Sequence, residues 1–187
     1  DTNSPPLVEN QTVTLDEDSP AVLSLDATDA DGDELTYTIE ELPLHGTLSG
    51  DFPELVYTPH KNYNGPDSFT YNASDSTSFS NAATVSLIVK PVNDIPVADT
   101  HRLFTYTDID VSTILLAKDI DGDPLNFSIV KYPEHGRLIE NLPDISYFPS
   151  KDFSGTDTFS FKTSDGQTDS NIASVSIRIY AHKARIN

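Results

Sequence analysis

Apolar and polar residues alternate in short runs along the whole chain. Residues 35–39, 69–73 and 83–89 each place apolar side chains at every second position, which is the period of a strand with one buried face. Turn-forming clusters separate such runs about every 8–12 residues, and no segment has the period of a helix. The pattern predicts about seven short strands in ~90 residues, which is typical of a two-sheet sandwich of the immunoglobulin type.

The second half of the chain repeats the first. Shifting the sequence by 90 residues aligns the halves without a gap, and 24 of the 61 positions in 29–89 match the residue 90 positions later. Residues 29–33 align with 119–123, for example, and the turn at Pro43 aligns with that at Pro133. The protein is therefore two copies of one module.

The repeat defines the expected domain organisation. We predict domains over residues 1–90 and 91–187, the second ending in a basic tail at 182–187. The linker, residues 91–96, contains two prolines and no glycine, so it should be short and stiff. The predicted fold class is all-β, with two tandem immunoglobulin-like Greek-key β-sandwiches in a linear arrangement.

Charge and composition narrow the range of ligands. The chain carries 30 acidic and 11 basic residues, a net charge of −19, so nucleic acid and anionic lipid are poor partners and cations are favoured. Cysteine is absent, which excludes disulfides, thiolate zinc sites and thiol catalysis. No apolar run approaches the ~20 residues of a membrane span, and membrane insertion is not expected.

The densest carboxylate motif is Asp-x-Asp-Gly-Asp, which occurs in both copies after the second strand. It comprises residues 29–33 and 119–123, and its glycine permits a sharp turn. Two like charges ~4 Å apart repel by ~4 kcal/mol at an effective dielectric near 20. A hard cation removes that cost, and Ca²⁺ accepts oxygen ligands at more flexible angles than Mg²⁺ does.

Two other interpretations of this motif are an EF-hand and a solvated turn rich in aspartate. An EF-hand fails because the glycine stands at loop position 4 rather than 6, Val130 occupies position 12 in the second copy, and residues 35–39 alternate as a strand. A solvated turn rich in aspartate stays open as the simpler alternative, since a duplicated turn also keeps its turn residues.

More potential ligands lie outside the motif. The linker contains Asn93 and Asp94, a Ser-Asp turn ends one strand at Asp75 and its equivalent at Asp165, and Glu17 precedes the second strand. In a linear array, acids from a linker, a loop and the preceding module can meet at one junction. The coincidence favours metal binding over a simple turn.

Several separated motifs resemble the cadherin family. The segment ATDADGD (27–33) is similar to the cadherin Asp-x-Asp loop, PVNDIPV (91–97) to its linker, and NASDS (72–76) and KTSDG (162–166) to its third acidic site. The resemblance is closer still to bacterial cadherin-like tandem repeats, whose pattern PLHGTLSG is present at 43–50. It covers almost the whole chain.

The resemblance implies secreted, calcium-binding β-sandwich modules joined end to end, with neighbouring modules of the same polypeptide as partners. Ca²⁺ is the implied cofactor. The implied ligands of the central junction are Glu17, Asn93, Asp94, Asp119, Asp121 and Asp165. In the first copy, Asp29, Asp31 and Asp75 are implied to face a preceding module.

The chain also departs from the animal cadherin pattern. Its Asp-Arg-Glu motif is absent, and Asp67 and Asp157, in Gly-x-Asp-x-Phe, either take that place as ligands or orient a turn. Thr107 replaces Glu17 in the second copy, which removes a carboxylate from any downstream site. Asp33 and Asp123 lie one step beyond the two-acid loop and are additional candidate ligands.

Other residues suggest catalysis or sugar binding less strongly. His45 and His135 each stand in Pro-x-His-Gly between strands, and we interpret them as turn residues before a glycine at positive φ. No Ser/His/Asp set has related spacing, so no catalytic residue is predicted. Four tyrosines are the candidates for a sugar-stacking face, although alternation favours core positions: Tyr37, Tyr57, Tyr63 and Tyr71.

Three functions fit these observations, none of them enzymatic. The first is a calcium-binding extracellular or cell-surface module pair, which acts in adhesion or as a calcium-rigidified spacer of a larger secreted protein. The second is a carbohydrate-binding accessory region of a secreted polysaccharide-degrading enzyme, and the third is a passive spacer. The expected external partner is accordingly a cell-surface protein or a polysaccharide.

Overall fold

The computed structural model describes residues 3–181, and the chain divides into two compact units, Asp1–Val92 and Asn93–Asn187. We call them the first and second domains. All regular structure within the described range is β-strand, which confirms the predicted all-β class. No helix long and apolar enough to cross a membrane occurs among these residues. The predicted basic tail, 182–187, lies outside them.

Within residues 3–181, each domain contains nine strands, two of them only two residues long. The first domain comprises β1 (Leu7–Val8), β2 (Gln11–Asp16), β3 (Ala21–Ser24), β4 (Ala27–Thr28), β5 (Thr36–Glu41), β6 (Gly46–Asp51), β7 (Glu54–Pro59), β8 (Gly65–Ser74) and β9 (Ala83–Lys90). The second domain comprises β10 (Val97–Ala98), β11 (His101–Tyr106), β12 (Val111–Ile114), β13 (Ala117–Lys118), β14 (Asn126–Lys131), β15 (Gly136–Asn141), β16 (Asp144–Pro149), β17 (Gly155–Ser164) and β18 (Ala173–Tyr180).

Two main sheets form each domain. In the first domain a four-stranded sheet has the order β2-β9-β8-β5 and a three-stranded sheet the order β3-β7-β6, while β1 and β4 pair separately. The second domain has the same order in its equivalent strands. All pairs are antiparallel except β2 with β9 and β11 with β18, which run parallel over six residue pairs each. The chain passes repeatedly between the two sheets.

Alternating side chains of the two sheets meet in one apolar core per domain. In the first domain Leu23 and Leu55 come from the three-stranded sheet, and Phe69, Val85 and Leu87 from the four-stranded sheet. All are at most 4% exposed. Burial of such side chains contributes about 1.5–3 kcal/mol each. The apolar residues that produced the alternating pattern are therefore the ones that join the sheets.

The tyrosines suggested as a sugar-stacking face are mainly core residues. Tyr57 and Tyr71 are fully buried, while Tyr37 and Tyr63 pack partly buried against the core. The hypothesis of a platform built from these four side chains is therefore wrong. Their hydrophobic surface is used in joining the two sheets.

Strands β6 and β7 were not predicted from the sequence. They form a hairpin in register from Gly46 with Pro59 to Asp51 with Glu54. Its first strand contains two glycines, and most of its side chains are exposed or half-buried, so periodicity gives little signal. The hairpin supplies most of the three-stranded sheet.

A buried carboxylate joins the two sheets near this hairpin. Asp67 of β8 accepts hydrogen bonds from the Tyr57 hydroxyl of β7 at 2.8 Å and from the backbone amides of Leu44, His45 and Ser68 at 2.9–3.0 Å. Asp157 in the second domain repeats the arrangement with Tyr147 at 2.9 Å. The side chain therefore holds both sheets and the crossing segment between them.

These hydrogen bonds determine the protonation states of Asp67 and Tyr57. Burial alone would raise the pKa of Asp67, but the hydrogen bonds from Tyr57 and the backbone amides outweigh it and hold the pKa below its usual value. Burial, together with the hydrogen bond to Asp67, raises the pKa of Tyr57. The pair is therefore an ionised acceptor and a neutral donor at neutral pH.

The glycines of the Pro-x-His-Gly turns have a different role from the predicted one. Gly46 and Gly136 are not among the glycines with positive φ, so that expectation is wrong. A Cβ at Gly46 would lie 2.3 Å from the Tyr57 ring, and one at Gly136 equally close to the Tyr147 ring. Glycine is needed at both positions because the ring of a buried tyrosine occupies the space.

The histidines of the same turns stack on neighbouring rings. His45 lies parallel to Tyr63 with ring centroids 4.1 Å apart, and His135 lies against Phe153 at 4.2 Å. The backbone amide of each donates to the buried aspartate. These contacts agree with the interpretation of both histidines as turn residues.

We predict that Gly46→Ala lowers the free energy of unfolding of the first domain by about 1–3 kcal/mol or more, because the new methyl group overlaps the Tyr57 ring. Thr47→Ala, at the exposed neighbouring position, is the control and should change it by at most about 0.5 kcal/mol. Urea unfolding followed by circular dichroism measures both. Equal stability of the two variants would contradict the packing argument.

We also predict that Asp67 makes the free energy of unfolding of the first domain fall at acid pH. Because its folded-state pKa lies below the unfolded value near 3.8, its stabilisation is complete above that value and is lost as the pH falls through the folded-state pKa. Asp67→Asn should lower stability by about 1–3 kcal/mol at neutral pH and flatten its fall below about pH 4. Urea unfolding across pH in EDTA tests this.

The control for that series is Glu54→Gln, which removes an exposed acid of β7. Its stability should follow the wild-type pH dependence, since an exposed carboxylate has few folded-state interactions to lose. A wild-type slope in Asp67→Asn, or a flattened slope in Glu54→Gln, would contradict the role assigned to the buried carboxylate.

Candidate metal sites

The Asp-x-Asp-Gly-Asp turn is organised by its own first residue. Asp29 Oδ1 accepts hydrogen bonds from the backbone amides of Asp31, Gly32 and Asp33 at 2.8, 3.0 and 3.3 Å, which is an Asx-type closure of the turn. Gly32 has φ +79°, a conformation that a side chain would strain. The sequence thus folds this loop so that its carboxylates converge.

One carboxylate oxygen in each turn is left without a partner. Asp29 Oδ2 and the equivalent Asp119 Oδ2 are buried and receive no hydrogen bond within the described structure. Buried polar atoms are nearly always paired, and an unpaired one costs about 1–3 kcal/mol. The same oxygen is unpaired in both domains, so the feature belongs to the motif rather than to one local packing defect.

In the first domain, Asp29 belongs to a group of three carboxylates. Asp29, Asp33 and Asp75 each offer an oxygen within 4.8 Å of the others. Asp31 lies beside the group and accepts a 2.7 Å hydrogen bond from the backbone amide of Ser4. The predicted ligands Asp29 and Asp75 are therefore brought together, with Asp33 as the third member.

Asp75 is fixed by a turn of its own at the end of β8. Its Oδ1 accepts from the backbone amides of Thr77 and Ser78, both at 2.7 Å, and its Oδ2 accepts from Asn3 Nδ2 at 2.8 Å. Burial alone would raise the pKa of Asp75, but these bonds outweigh it and place the pKa far below the usual value. The group is thus held ionised.

The second domain forms a related cluster from a different selection of residues. Asp119, Asp121 and Asp123 offer oxygens within 4.8 Å of one another. The backbone amide of Asp94 donates to Asp121 at 2.7 Å, so the linker residue adjoins the cluster through its main chain.

Asn93 and Asp165 form a second part of this region. Asn93 Nδ2 donates to Asp165 Oδ2 at 2.9 Å, and Asn93 Oδ1 accepts from Gln167 Nε2 at 2.7 Å. Hydrogen bonds from the Thr168 backbone amide first, and then from Asn93, place the pKa of Asp165 far below its usual value. The linker residues Asn93 and Asp94 are therefore hydrogen-bonded to Asp165 and to the three-acid cluster, respectively, although Asp165 is not a member of that cluster.

Glu17 lies at the end of β2 in the first domain. It is 3% exposed, and its Oε1 accepts from the backbone amide of Val92 at 2.7 Å. Its Oε2 accepts from Asn64 at 3.5 Å. The side chain thus fixes the point at which the chain leaves the first domain. Its predicted part in a shared metal site stays a prediction.

Asp67 and Asp157 lie apart from both clusters. Each accepts four hydrogen bonds, from a tyrosine hydroxyl and three backbone amides. Of the two roles that the sequence left open, these contacts favour the orientation of a turn. We therefore do not include the pair among the proposed ligands.

The clusters fit a hard divalent cation chemically. They provide hard oxygen ligands from several carboxylates, including one buried oxygen per domain that no protein group satisfies. Calcium accepts six to eight such oxygens with flexible geometry. If an ion were bound, Asp29, Asp33 and Asp75 would hold it in the first domain, and Asp119, Asp121 and Asp123 in the second.

Asn3 and Ser4 support the first cluster by hydrogen bonds, and this role was not predicted from the sequence. Asn3 holds Asp75 as Asn93 holds Asp165, and Ser4 contributes its backbone amide to Asp31 as Asp94 does to Asp121. The 90-residue repeat contains the necessary signal. Because Ser4 replaces Asp94, the first domain lacks a carboxylate at that position.

Comparison with protein families finds one match for each domain. The family described as Bacterial Ig domain matches residues 3–88 and again residues 93–178. Among curated proteins no sequence matches the chain significantly.

Solved structures provide further likenesses. Domains EC1-2 of human mucin-like protocadherin share 16% identity with a TM-score of 0.57, over 95% of this chain and 98% of that one. Cadherin domains 3-6 of protocadherin gamma B2 share 16% identity with a TM-score of 0.55, over 94% and 47%. These likenesses show the cadherin-type sandwich fold.

An endo-fucoidan hydrolase of glycoside hydrolase family 107 is also similar, at 21% identity and a TM-score of 0.43. The comparison covers 95% of this chain and 29% of the hydrolase. The chain thus spans less than a third of that enzyme's length.

Proposed function

The chain belongs to the bacterial immunoglobulin-like domain family as a tandem pair, and on that premise we propose that it is a calcium-binding extracellular module pair of a larger protein. Bacterial Ig domains and cadherin domains are non-catalytic module types. The pair would act in adhesion or as a spacer stiffened by Ca²⁺. The observation that carries the proposal is the unpaired buried oxygen at Asp29 and again at Asp119.

Electrostatics supports binding of a cation rather than a purely structural turn. A solvated aspartate turn needs no buried oxygen, because water satisfies every lone pair at an exposed site. Here one oxygen of the leading aspartate closes the turn while the other is buried without a hydrogen bond, and the residue belongs to a cluster of three carboxylates. A bound cation would compensate both the missing hydrogen bond and the mutual repulsion.

The ligand chemistry favours Ca²⁺ over Mg²⁺. The three carboxylates come from one short turn in the second domain, and in the first domain from that turn and the separate turn at Asp75. Such an arrangement suits a large ion with variable coordination, whereas Mg²⁺ requires near-octahedral geometry and retains its waters. Extracellular modules of this kind bind Ca²⁺ at about 10⁻⁴–10⁻³ M, a range in which external calcium occupies the site.

The mechanical role follows from where the ligands lie in the sequence. Asn93 and Asp94 belong to the linker, and their contacts with Asp165 and Asp121 attach that linker to the second domain's acidic turns. An ion bound there would restrain the linker further. We propose that calcium thereby limits the motion between successive modules of the parent protein.

We expect isothermal titration calorimetry to detect Ca²⁺ binding in both domains. Asp29→Asn should weaken the first-domain site by about tenfold or more, and Asp119→Asn should do the same in the second domain, because each removes a central carboxylate. The control is Asp51→Asn, an exposed acid whose equivalent in the second domain is already Asn141. Absence of any calcium-dependent heat, or an equal effect of the control, would contradict the proposal.

We further expect Glu17→Gln to separate a shared site from two independent ones. If Glu17 is a ligand of the second cluster, as predicted from the sequence, the substitution should weaken Ca²⁺ binding at that cluster in the intact chain by about tenfold. An isolated fragment of residues 91–187 should bind as weakly as the variant. Wild-type affinity in both samples would show that the cluster is complete within the second domain.

A further inference from the structure

One face of the second domain carries large aromatic side chains in solvent. Phe104 and Tyr106 of β11 and Tyr180 of β18 are 61%, 52% and 45% exposed. Arg102 and Arg178 are exposed on the same two strands. All five alternate with the buried core residues and therefore point outward from the four-stranded sheet. We call this set the aromatic–arginine face.

The members of the face are close neighbours. The register pairs Phe104 with Arg178 and Tyr106 with Tyr180. The Phe104 and Tyr180 ring planes differ by 18° with centroids 6.4 Å apart, and the Tyr106 and Tyr180 centroids are 6.0 Å apart. The Arg178 guanidinium carbon lies 5.8 Å from the Tyr180 ring centroid. The face is thus a continuous surface rather than scattered side chains.

Small hydroxyl residues extend this surface. Arg178 donates a 3.1 Å hydrogen bond to the Thr156 hydroxyl of the adjacent strand β17. A shallow depression of about 370 Å³ lies between these strands, and its lining includes Arg102, Phe104, Thr156, Ser176 and Arg178. The depression thus combines two cations and hydroxyl groups with apolar surface, to which Phe104 and Leu103 contribute.

The face differs in charge from the rest of the protein. The chain has a net charge of −19, yet the outward positions of strands β11, β17 and β18 contain no carboxylate. Besides the aromatic–arginine face, they hold Thr156, Thr158, Ser160, Lys162, Ser164, Ser174 and Ser176. An anionic ligand is therefore attracted here and repelled by most of the remaining surface.

The first domain shows that the sandwich does not require these residues. At the equivalent positions it has Thr12, Thr14, Asp16, Ile88 and Lys90, and it forms the same sheet with the same parallel edge pair. The two domains share their core and their acidic turns but not this face. A requirement of the fold is therefore excluded as the reason for three rings and two arginines in solvent.

We propose that the aromatic–arginine face binds an anionic polysaccharide. Exposed rings offer flat apolar surfaces with a negative face, against which the C–H side of a sugar ring packs. Arg102 and Arg178 supply forked donors for carboxylate or sulfate groups, and the hydroxyls serve the sugar's own hydroxyl groups.

The composition of the face favours a polysaccharide over a folded protein partner. Stable protein interfaces bury about 800 Å² per partner around a packed apolar centre. The aromatic–arginine face is instead a shallow strip of rings and cations bordered by serine and threonine. An extended sugar chain presents apolar ring faces and polar edges in the same alternation.

Affinity electrophoresis of the full chain tests this inference, with native gels containing polygalacturonate, dextran sulfate or neutral dextran. EDTA is present throughout, because Ca²⁺ would otherwise link acidic protein to acidic polymer. We expect retardation by one or both anionic polymers and none by dextran. Retardation should weaken as sodium chloride is raised, since salt screens exposed charges.

Variants that introduce the first-domain residue locate the binding. Arg102→Thr and Phe104→Thr should each lower the affinity for the retarding polymer about tenfold, which corresponds to the loss of one charge-assisted hydrogen bond or one ring contact. Arg137→Thr is the matched control. It removes an equal charge from β15 of the other sheet and also introduces the first-domain residue, Thr47. It should leave binding unchanged. Circular dichroism verifies that each variant is folded.

Three outcomes would overturn the inference. The first is a lack of retardation by both anionic polymers, and the second is an equal loss of binding in Arg137→Thr and Arg102→Thr. The third is sedimentation analysis that detects a dimer of the wild type and a monomer of Phe104→Thr, which would assign the face to a second copy. None of these results depends on calcium, so the proposed metal sites are tested separately.

Discussion

Both sandwiches depend on one buried hydrogen-bonded carboxylate. Asp67 lies in the four-stranded sheet and accepts from Tyr57 of the opposite sheet as well as from the segment that crosses between them. An ionised group in an apolar interior is tolerated only when hydrogen bonds replace its hydration. The ring of Tyr57 must also reach that position, and Gly46 leaves the space for it. Each of these three residues is identical in the two copies of the repeat.

Two kinds of repeated aspartate therefore differ in how their oxygens are paired. Asp67 and Asp157 are fully satisfied by tyrosine and backbone donors, and they serve folding. Asp29 and Asp119 are satisfied at one oxygen only, with the other buried beside further carboxylates. A structural aspartate thus differs from a candidate ligand in whether protein donors satisfy both of its carboxylate oxygens. Residue type and the 90-residue repeat do not distinguish the two, since both kinds are aspartates that recur in the second copy.

The all-β class could be predicted from the sequence because, in strands such as β8 and β9, buried and exposed positions alternate and the residues alternate between apolar and polar accordingly. The β6–β7 hairpin was not predicted, because the glycines and exposed positions of β6 weaken the alternation of apolar and polar residues. The role of Gly46 was mistaken because close approach of a ring from another strand has no local signature. Convergence of Asp29 and Asp75 was expected through resemblance, whereas the unpaired oxygen required coordinates. The aromatic–arginine face was not predicted, because the prediction relied on positions that are identical in the two copies and this face lies at positions where the copies differ.

The parallel pairing of the first long strand with the last has a mechanical consequence. In each domain the strand near the amino end lies beside the strand at the carboxyl end, joined over six residue pairs. Tension applied along the polypeptide pulls these neighbours in opposite directions parallel to their own axes. The ladder between them is then loaded in shear, so its hydrogen bonds resist together instead of opening one after another. A chain of such modules would transmit force between distant attachment points while each sandwich remained folded.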